Sequence, residues 1–377
     1  MRILHLGKYY APQRGGIESY LQALAEWMTA RGETVGALVH QRPGVWRSDI
    51  ETMGGVEIRR VACVGAPVYT PMSPTFPLAL SRALREFNPD LLHLHLPNPS
   101  CFAALASPRA RRLPWVVHWH SDIPPDAPDW RLRLGYRAYR PFERALLKRA
   151  RAIIATSQSY VDASAALAPW RSKVTVIPLG IEDVALPAPS HDLWPHERGL
   201  RLLAVGRLSH YKGFEVVIDA LANSRDARLV LVGEGEAAAA LHARAAERGV
   251  AQRIHFAGGL DEAALLSAYA SADAFVLPSL NRGEAFGLVL LEAMRARLPV
   301  IASAIAGSGV VEVVAGDATG LLVAPNDANA LAHAILQFED AARRKQMGEA
   351  GRRRWAESFT LQRSAERVLA LYRGVLK

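Results

Sequence analysis

Short apolar runs, each ending in a polar loop and leading into a segment of helical period, recur along this chain in two sets, and few architectures accommodate that alternation. The first, "RILHLG" (2–7), runs into a loop holding Pro12, Gly15 and Gly16. Ile17, Leu21, Leu24 and Met28 then follow at helical spacing, the pattern stops at Gly32, and "TVGALVH" (34–40) begins the next strand. "DLLHLHL" (90–96), "WVVHWH" (115–120), "AIIATS" (152–157) and "VTVIPLG" (174–180) repeat the short buried strand with a polar exit. A Pro-rich polar stretch, "PAPSHDLWPHERG" (187–199), reads as a linker. Beyond it "LRLLAVGRL", "ARLVLVGEG", "RIHFAGG", "AFVLPS" and "PVIAS" form the second set. Runs that are apolar throughout belong in parallel sheets covered on both faces by helices. The pattern predicts an α/β chain of two Rossmann-like domains, 1–183 and 184–359, with the amphipathic segment 360–377 packing back on the first. A length of 377 residues suits two domains of ordinary size.

Composition narrows the function classes. No segment approaches the ~18 uninterrupted apolar residues of a membrane span. "MRILHLGKYYAPQ" lacks the long apolar region of a signal peptide, and Cys63 and Cys101 make neither a disulfide framework nor a zinc cluster, so a cytoplasmic setting is expected. The net charge of +9 is uneven: residues 1–180 hold 23 Lys+Arg against 13 Asp+Glu, and residues 181–377 hold 22 against 23. The basic half implies an anionic partner or surface. No DNA- or RNA-binding module accompanies that charge, so nucleic acid is not an expected partner.

Ligands of parallel α/β sheets sit at the carboxyl ends of the strands, beside helix N-termini, and two such domains let a ligand bridge the cleft between them. After "LLAVG" stand Arg207 and Lys212 in a glycine-flanked loop. A guanidinium and an ammonium five residues apart suit a diphosphate, although loop cations taken singly are more often just solvated. Gly15 and Gly16 of "QRGGIE" (13–18), and the glycines of "VGEGE" (232–236), have two readings, a tight steric exit or close approach of backbone amides to an anion. "VVHWHSD" (116–122) places His118, Trp119, His120 and Asp122 at another exit, with no third metal ligand suggested by the spacing.

The stretch "GEAFGLVLLEAM" (283–294) carries two glutamates eight apart in an otherwise small and apolar run. Buried carboxylates are costly unless something binds them. Gly283–Leu288 reads as a loop and the rest as a helix, whose eight-residue rise of about 12 Å lets Glu284 and Glu292 reach different parts of one elongated ligand. Amides of Ala285, Phe286, Gly287 and Leu288 at the positive end of the helix dipole suit a diphosphate, and carboxylates suit vicinal hydroxyls. The plainer reading is an N-cap glutamate plus a buried ion pair.

In that order, "RLSHYKG", "AFVLPS", "GEAFGLVLLEAMRARLPVIAS" and "TGLLV" resemble the retaining glycosyltransferases of family 4, whose fold is GT-B. "HLGKYYAPQRGGIE" and "HWHSD" look like the N-terminal half of the same family, so the resemblance covers nearly the whole chain. It implies that Glu292 holds the ribose hydroxyls of a nucleotide-sugar and Glu284 the hydroxyls of the transferred sugar, with the amides of Phe286 and Gly287 against sugar and diphosphate. Arg207 and Lys212 match the pair that neutralises the leaving diphosphate, Gly16 the glycine beside the phosphates, and His120 the strand-end histidine close to the reacting carbon. Retention of configuration is implied as well. No carboxylate is an obvious nucleophile, so the expected route is front-face, with the leaving phosphate accepting the acceptor's proton. Two departures are Ala285, where serine is frequent, and "PLGIE" (178–182) at the entry to the second domain.

The openings "GKYYAPQRGGIE" and "HWHSDI" look most like bacterial enzymes that build surface polysaccharides from GDP-mannose, with a UDP-sugar as the alternative donor. The base is expected against backbone near "IHFAGGL" (254–260), which includes Gly258. No Asp-x-Asp pair occurs, so Arg207 and Lys212 are expected to replace a metal, and no cofactor is expected. In 131–151 Arg133, Arg137, Arg140, Arg144 and Lys148 share a helical face beside Leu132, Tyr136, Tyr139, Phe142 and Leu146, and Pro141 should kink the helix or start a new one. Such a stripe suits an anionic membrane surface, where a saccharide acceptor linked to polyprenyl diphosphate is found; the plainer reading is a solvated face over a packed one. A nucleotide-sugar epimerase or dehydrogenase would want a Rossmann G-x-G-x-x-G after the first strand, which "GKYYAPQRGG" does not supply. A phosphorylase of the same fold would want a pyridoxal-phosphate lysine site, for which the sequence makes no case.

Overall fold

The computed structural model describes every residue except 14, 68, 69, 124–129, 191, 195–198 and 225, and the side chains of 130–132. Part of the linker stretch 187–199 thus lies outside the described residues. The chain divides into two compact units, Met1–Glu182 with Leu361–Lys377, and Asp183–Thr360.

The first unit is built on β1 (Arg2–Leu6), β2 (Thr34–His40), β3 (Asp49–Met53), β4 (Val56–Val61), β5 (Leu91–Leu96), β6 (Trp115–Trp119), β7 (Ala152–Ala155) and β8 (Val174–Val176). They form one sheet in the order β3-β4-β2-β1-β5-β6-β7-β8, parallel apart from the antiparallel β3–β4 pair. β3 leaves no mark in the sequence pattern, because its residues are mostly exposed and an edge strand needs no buried face to announce it. The chain winds outward from β1 through β2 to β4 and then returns to set β5 against β1. That reversal is the switch point at which a parallel sheet opens a crevice.

The Leu361–Leu376 helix packs against the Gly16–Thr29 helix. Its Ser364 hydroxyl lies 2.8 Å from the Tyr20 hydroxyl and donates to the Pro178 carbonyl, and its Tyr372 hydroxyl reaches His93 Nδ1. The Trp130–Arg149 helix runs on through Pro141 and does not restart there. Pro141 is exposed, so the carbonyl that loses its helical donor can turn to water.

The second unit holds β9 (Leu200–Val205), β10 (Ala227–Val232), β11 (Ile254–Gly258), β12 (Ala274–Leu277), β13 (Val300–Ser303) and β14 (Gly320–Val323), all parallel, in the order β11-β10-β9-β12-β13-β14. The same outward winding and return put its switch point between β9 and β12. Leu202, Leu229, Val276 and Ile301 of the strands pack with Phe214, Val217 and Ile335 of the helices into a continuous core. "VGEGE" is shaped by steric need. A Cβ on Gly233, which sits at φ +139°, would stand 1.9 Å from the Gly206 carbonyl oxygen, and one on Gly235 would stand 2.4 Å from that of Leu208. Gly233→Ala is therefore expected to destabilise the second unit by at least about 2 kcal/mol. A thermal melt unchanged from wild type would contradict this close backbone approach.

Candidate active site

The exits of β9 and β12 flank the switch point of the second unit, and the charged residues singled out in the sequence converge there. β9 passes through Gly206 to an exposed Arg207 and a short turn, His210–Lys212, closed by Gly213 at φ +65°. No other residue fits readily at 213, where a Cβ would meet the Pro278 carbonyl oxygen at 2.2 Å. The stem of Lys212 folds back over Gly206, coming within 3.3 Å of the place a Cβ would occupy. Its ammonium donates to Glu284 Oε2 at 2.6 Å, and Ser279 Oγ donates to the same oxygen at 3.0 Å. Both charged residues are buried. Burial works against the Lys212 ammonium, but Glu284 outweighs it and holds the group above its ordinary pKa.

The sequence assigns Lys212 and Glu284 to different parts of a ligand; the structure sets them against each other. Each neutralises a charge that would otherwise be costly to bury. The Glu284 loop is held firmly: its N–H donates to the Asn281 carbonyl, its carbonyl accepts from Ser308 Oγ, and the Gly309 N–H donates to the Ala285 carbonyl. Ala285 and Phe286 are buried, with the Phe286 ring edge-on to Phe359.

Gly287, at φ +81°, caps the Leu288–Arg295 helix, so the backbone turns sharply at the positive end of the helix dipole. On this helix, Glu292 Oε2 accepts a 2.6 Å hydrogen bond from the Tyr269 hydroxyl. Burial raises the Glu292 carboxyl above the usual range, with Tyr269 and Arg295 pulling the other way. Gly258 ends β11, two strands from β9 and hence roughly 10 Å from it across the sheet. It therefore belongs to a different part of the surface from the Lys212–Glu284 pair. Tyr269 carries no motif, and Ser279 ends "AFVLPS" without being singled out there; only the packing of the Glu262–Ser271 helix and the β12 exit brings them to the glutamates.

On the first unit, Gly15 is the N-cap of the Gly16–Thr29 helix and accepts from the Ser19 N–H at 2.8 Å. His120 lies one residue beyond β6, buried, with its N–H donating to the Leu96 carbonyl at 3.0 Å. Burial first, then Lys8, push its imidazole down to about 3. It is not alone: His5, His93, His95 and His118 are buried on β1, β5 and β6. The third ring that the spacing of "HWHSD" lacks comes from the neighbouring strand, as His95. Asp122 accepts from Trp119 Nε1 and Ser164 Oγ, which makes it a clamp on the strand exit.

Arg133, Arg137, Arg140, Arg144 and Lys148 are all exposed. Of their apolar neighbours, Phe142 is exposed and stacks on Phe102, Tyr136 and Tyr139 are partly buried, and Leu146 is buried; the Leu132 side chain lies outside the described residues. Most of the apolar flank is thus the packing side of the helix, while the basic stripe faces solvent. Among the described residues no helix is long and apolar enough to cross a membrane.

Comparison with known proteins agrees with this layout. Residues 194–354 match the model of the "Glycosyl transferases group 1" family, and residues 15–180 match that of the "Glycosyl transferase 4-like domain". The O-antigen chain mannosyltransferase C of Escherichia coli is 30% identical over the whole of this chain and 99% of its own length. The D-rhamnosyltransferase WbpZ of Pseudomonas aeruginosa is 30% identical over 96% of this chain and 92% of its own. Among solved structures, the sucrose-phosphate synthase from Thermosynechococcus elongatus superposes with a TM-score of 0.81 at 25% identity, covering 99% of this chain and 98% of that one. The chain belongs to the group 1 glycosyltransferases with a 4-like N-terminal domain, and its two Rossmann-like units are those of the GT-B fold.

Proposed function

We propose that the protein transfers mannose from GDP-mannose, with retention of configuration, to a saccharide carried on polyprenyl diphosphate at the inner face of the cytoplasmic membrane. The observation that carries this reading is the 2.6 Å Lys212–Glu284 pair at the switch point of the second unit. A diphosphate draws on Lys212 and the neighbouring Arg207, the sugar hydroxyls on Glu284, and the ribose hydroxyls on Glu292. The amides of Phe286, Gly287 and Leu288 supply further donors at a helix N-terminus. Gly16 on the first unit is assigned to the phosphates, and Gly258 to the base.

The reaction breaks the bond from the anomeric carbon to the phosphate and gathers negative charge on the leaving diphosphate. Stabilising that charge is the main task, and fixed cations do it without a metal. The acceptor's proton passes to the leaving phosphate as the new C–O bond forms on the same face. Mannose is favoured because the E. coli relative is a mannosyltransferase and mannosyl transfer recurs among the other curated relatives. The anionic acceptor suits the exposed basic stripe on the Trp130–Arg149 helix.

Thermal stabilisation by GDP, UDP, ADP and GDP-mannose, each with EDTA, tests the donor. Upward shifts with GDP and GDP-mannose alone are the expected result, and a hundredfold excess over Kd should add about 2.7 kcal/mol of stability. A shift with UDP alone would overturn the donor, and transfer that EDTA abolishes and Mg²⁺ restores would overturn the metal-free mechanism. For the membrane, vesicles rich in anionic lipid should co-sediment the protein at low salt. Replacing Arg133, Arg137 and Arg140 with Ser should weaken that binding by about 1 kcal/mol per charge. Indifference to such vesicles would remove the membrane from the proposal.

A further inference from the structure

The buried histidines of the first unit form an ordered array. β1 and β5 pair with His5 beside His93, and β5 and β6 pair with His95 beside His118. The two-residue period of a strand then puts His93 and His95 on one face, with His118 and His120 beside them. Around His120 the rings lie nearly parallel, with His118 and His120 4.2 Å apart at 6° and His95 and His120 5.2 Å apart at 12°, whereas His93 is tilted 50° to His5 and 35° to His95. Three ring nitrogens of His95, His118 and His120 fall within 4.8 Å of one another. Parallel rings, however, send their in-plane lone pairs side by side, whereas a metal needs them to meet at a point.

What the rings do form is a hydrogen-bonded chain. His5 Nδ1 lies 3.0 Å from His95 Nε2, and His95 Nδ1 lies 2.9 Å from His120 Nε2. Burial keeps all three imidazoles neutral near pH 7. A neutral imidazole carries one N–H and one lone pair, so a chain of three has only two proton arrangements. In the first, His5 Nδ1–H donates to His95, His95 Nδ1–H donates to His120 Nε2, and the proton of His120 sits on Nδ1. In the second every proton is reversed, which leaves an N–H on His5 Nε2 and a lone pair on His120 Nδ1. His5 Nε2 is buried and has no hydrogen-bond partner among the described residues. An orphaned buried donor is rarer and costlier than an orphaned lone pair, so the first arrangement wins.

We propose that His95 is a positioning residue that, together with His5, holds His120 as a neutral Nδ1–H donor. Nδ1 is the nitrogen His120 has left for substrate. His120 therefore donates to a sugar hydroxyl or phosphate oxygen and takes no proton in the reaction. The acceptor's proton goes to the leaving phosphate and His120 keeps its own. The functional half of this proposal rests on the role given to His120 above; the proton arrangement does not.

Protein labelled with ¹⁵N in the histidine rings gives a direct reading, with the His120 signals assigned by their loss in H120Q. The expected spectrum shows His120 as the Nδ1–H form without titration between pH 5.5 and 8.5. His95→Leu should lower kcat roughly tenfold to a hundredfold, by analogy with the loss of a group that orients a metal-ligating histidine. The KM for the donor should stay within about twofold of wild type, because the interaction lost acts on the transition state. An Nε2–H form of His120, or a midpoint near 6.5, overturns the chain even if His95→Leu fails to fold, since the wild-type spectrum decides it. A wild-type kcat in folded His95→Leu overturns the positioning role. Full turnover in H120Q overturns the part given to His120 in transfer while the spectrum still judges the proton arrangement.

Discussion

Lys212→Ala is expected to lower turnover by about 10²–10³-fold, the cost of removing one preorganised group from a site of developing negative charge. The same substitution should lower the melting temperature of the second unit, because Glu284 would be left buried with Ser279 Oγ as its remaining side-chain partner. Breaking a buried pair from one side costs about 3–5 kcal/mol. Glu284→Gln breaks the pair from the other side and should also lower the melting temperature, but it leaves the cation in place for the diphosphate. It removes the charge but keeps the shape, so nucleoside diphosphate binding should hold within a few-fold while kcat falls. Steady-state kinetics and calorimetry on the two variants decide the matter. If Lys212→Ala turns over at the wild-type rate, the diphosphate is neutralised elsewhere.

The second large effect is on stability in acid. Burial holds His5 and His120 at about 3 and His40 at about 4, and holds His93, His95 and His118 far below their ordinary value as well. These groups are neutral in the folded unit and take up protons on unfolding. Their contribution is complete above the unfolded pKa of about 6.5 and is lost as pH falls from there towards 3. By pH 5.5 each such histidine removes about 1.4 kcal/mol, so the group together reaches the 5–15 kcal/mol of a whole domain's stability. Glu143 acts in the opposite sense. Burial raises it to about 7, so it favours the folded state as pH falls from 7 towards 4.5, but it is a single carboxyl. The first unit should therefore unfold cooperatively between pH 6 and about 4.5. A pH titration followed by tryptophan fluorescence and circular dichroism checks it, and a first unit still folded at pH 4 would mean the histidines find protons or water inside.

Both effects come from pairings that are invisible along the chain. Lys212 and Glu284 stand 72 residues apart, and nothing local marks either as the partner of the other. The histidine array depends on strand register: "LHLH" and "HWH" could each be seen as alternating strands, but only the β1–β5 and β5–β6 pairings lay His5, His95 and His120 along one line. Tyr269 reaches Glu292 from another helix and carries no motif at all.

Much else was legible. Alternating apolar runs and helical periods are local properties, set by how many residues turn a helix or cross a strand, and they predict two parallel α/β units before any contact is known. Gly213 and Gly287 mark sharp strand-to-helix exits because the left-handed backbone there favours glycine. The charged residues at those exits are legible for the same reason: a polar group beside an apolar strand stands out. β3, by contrast, gives no signal because an edge strand of exposed residues has no buried face to write into its pattern. Local chain geometry thus settles which residues stand at the strand exits. Which of them share a charge or a proton is settled only when distant strands come into register, because hydrogen bonds and ion pairs act over a few ångströms of space and take no account of separation along the chain.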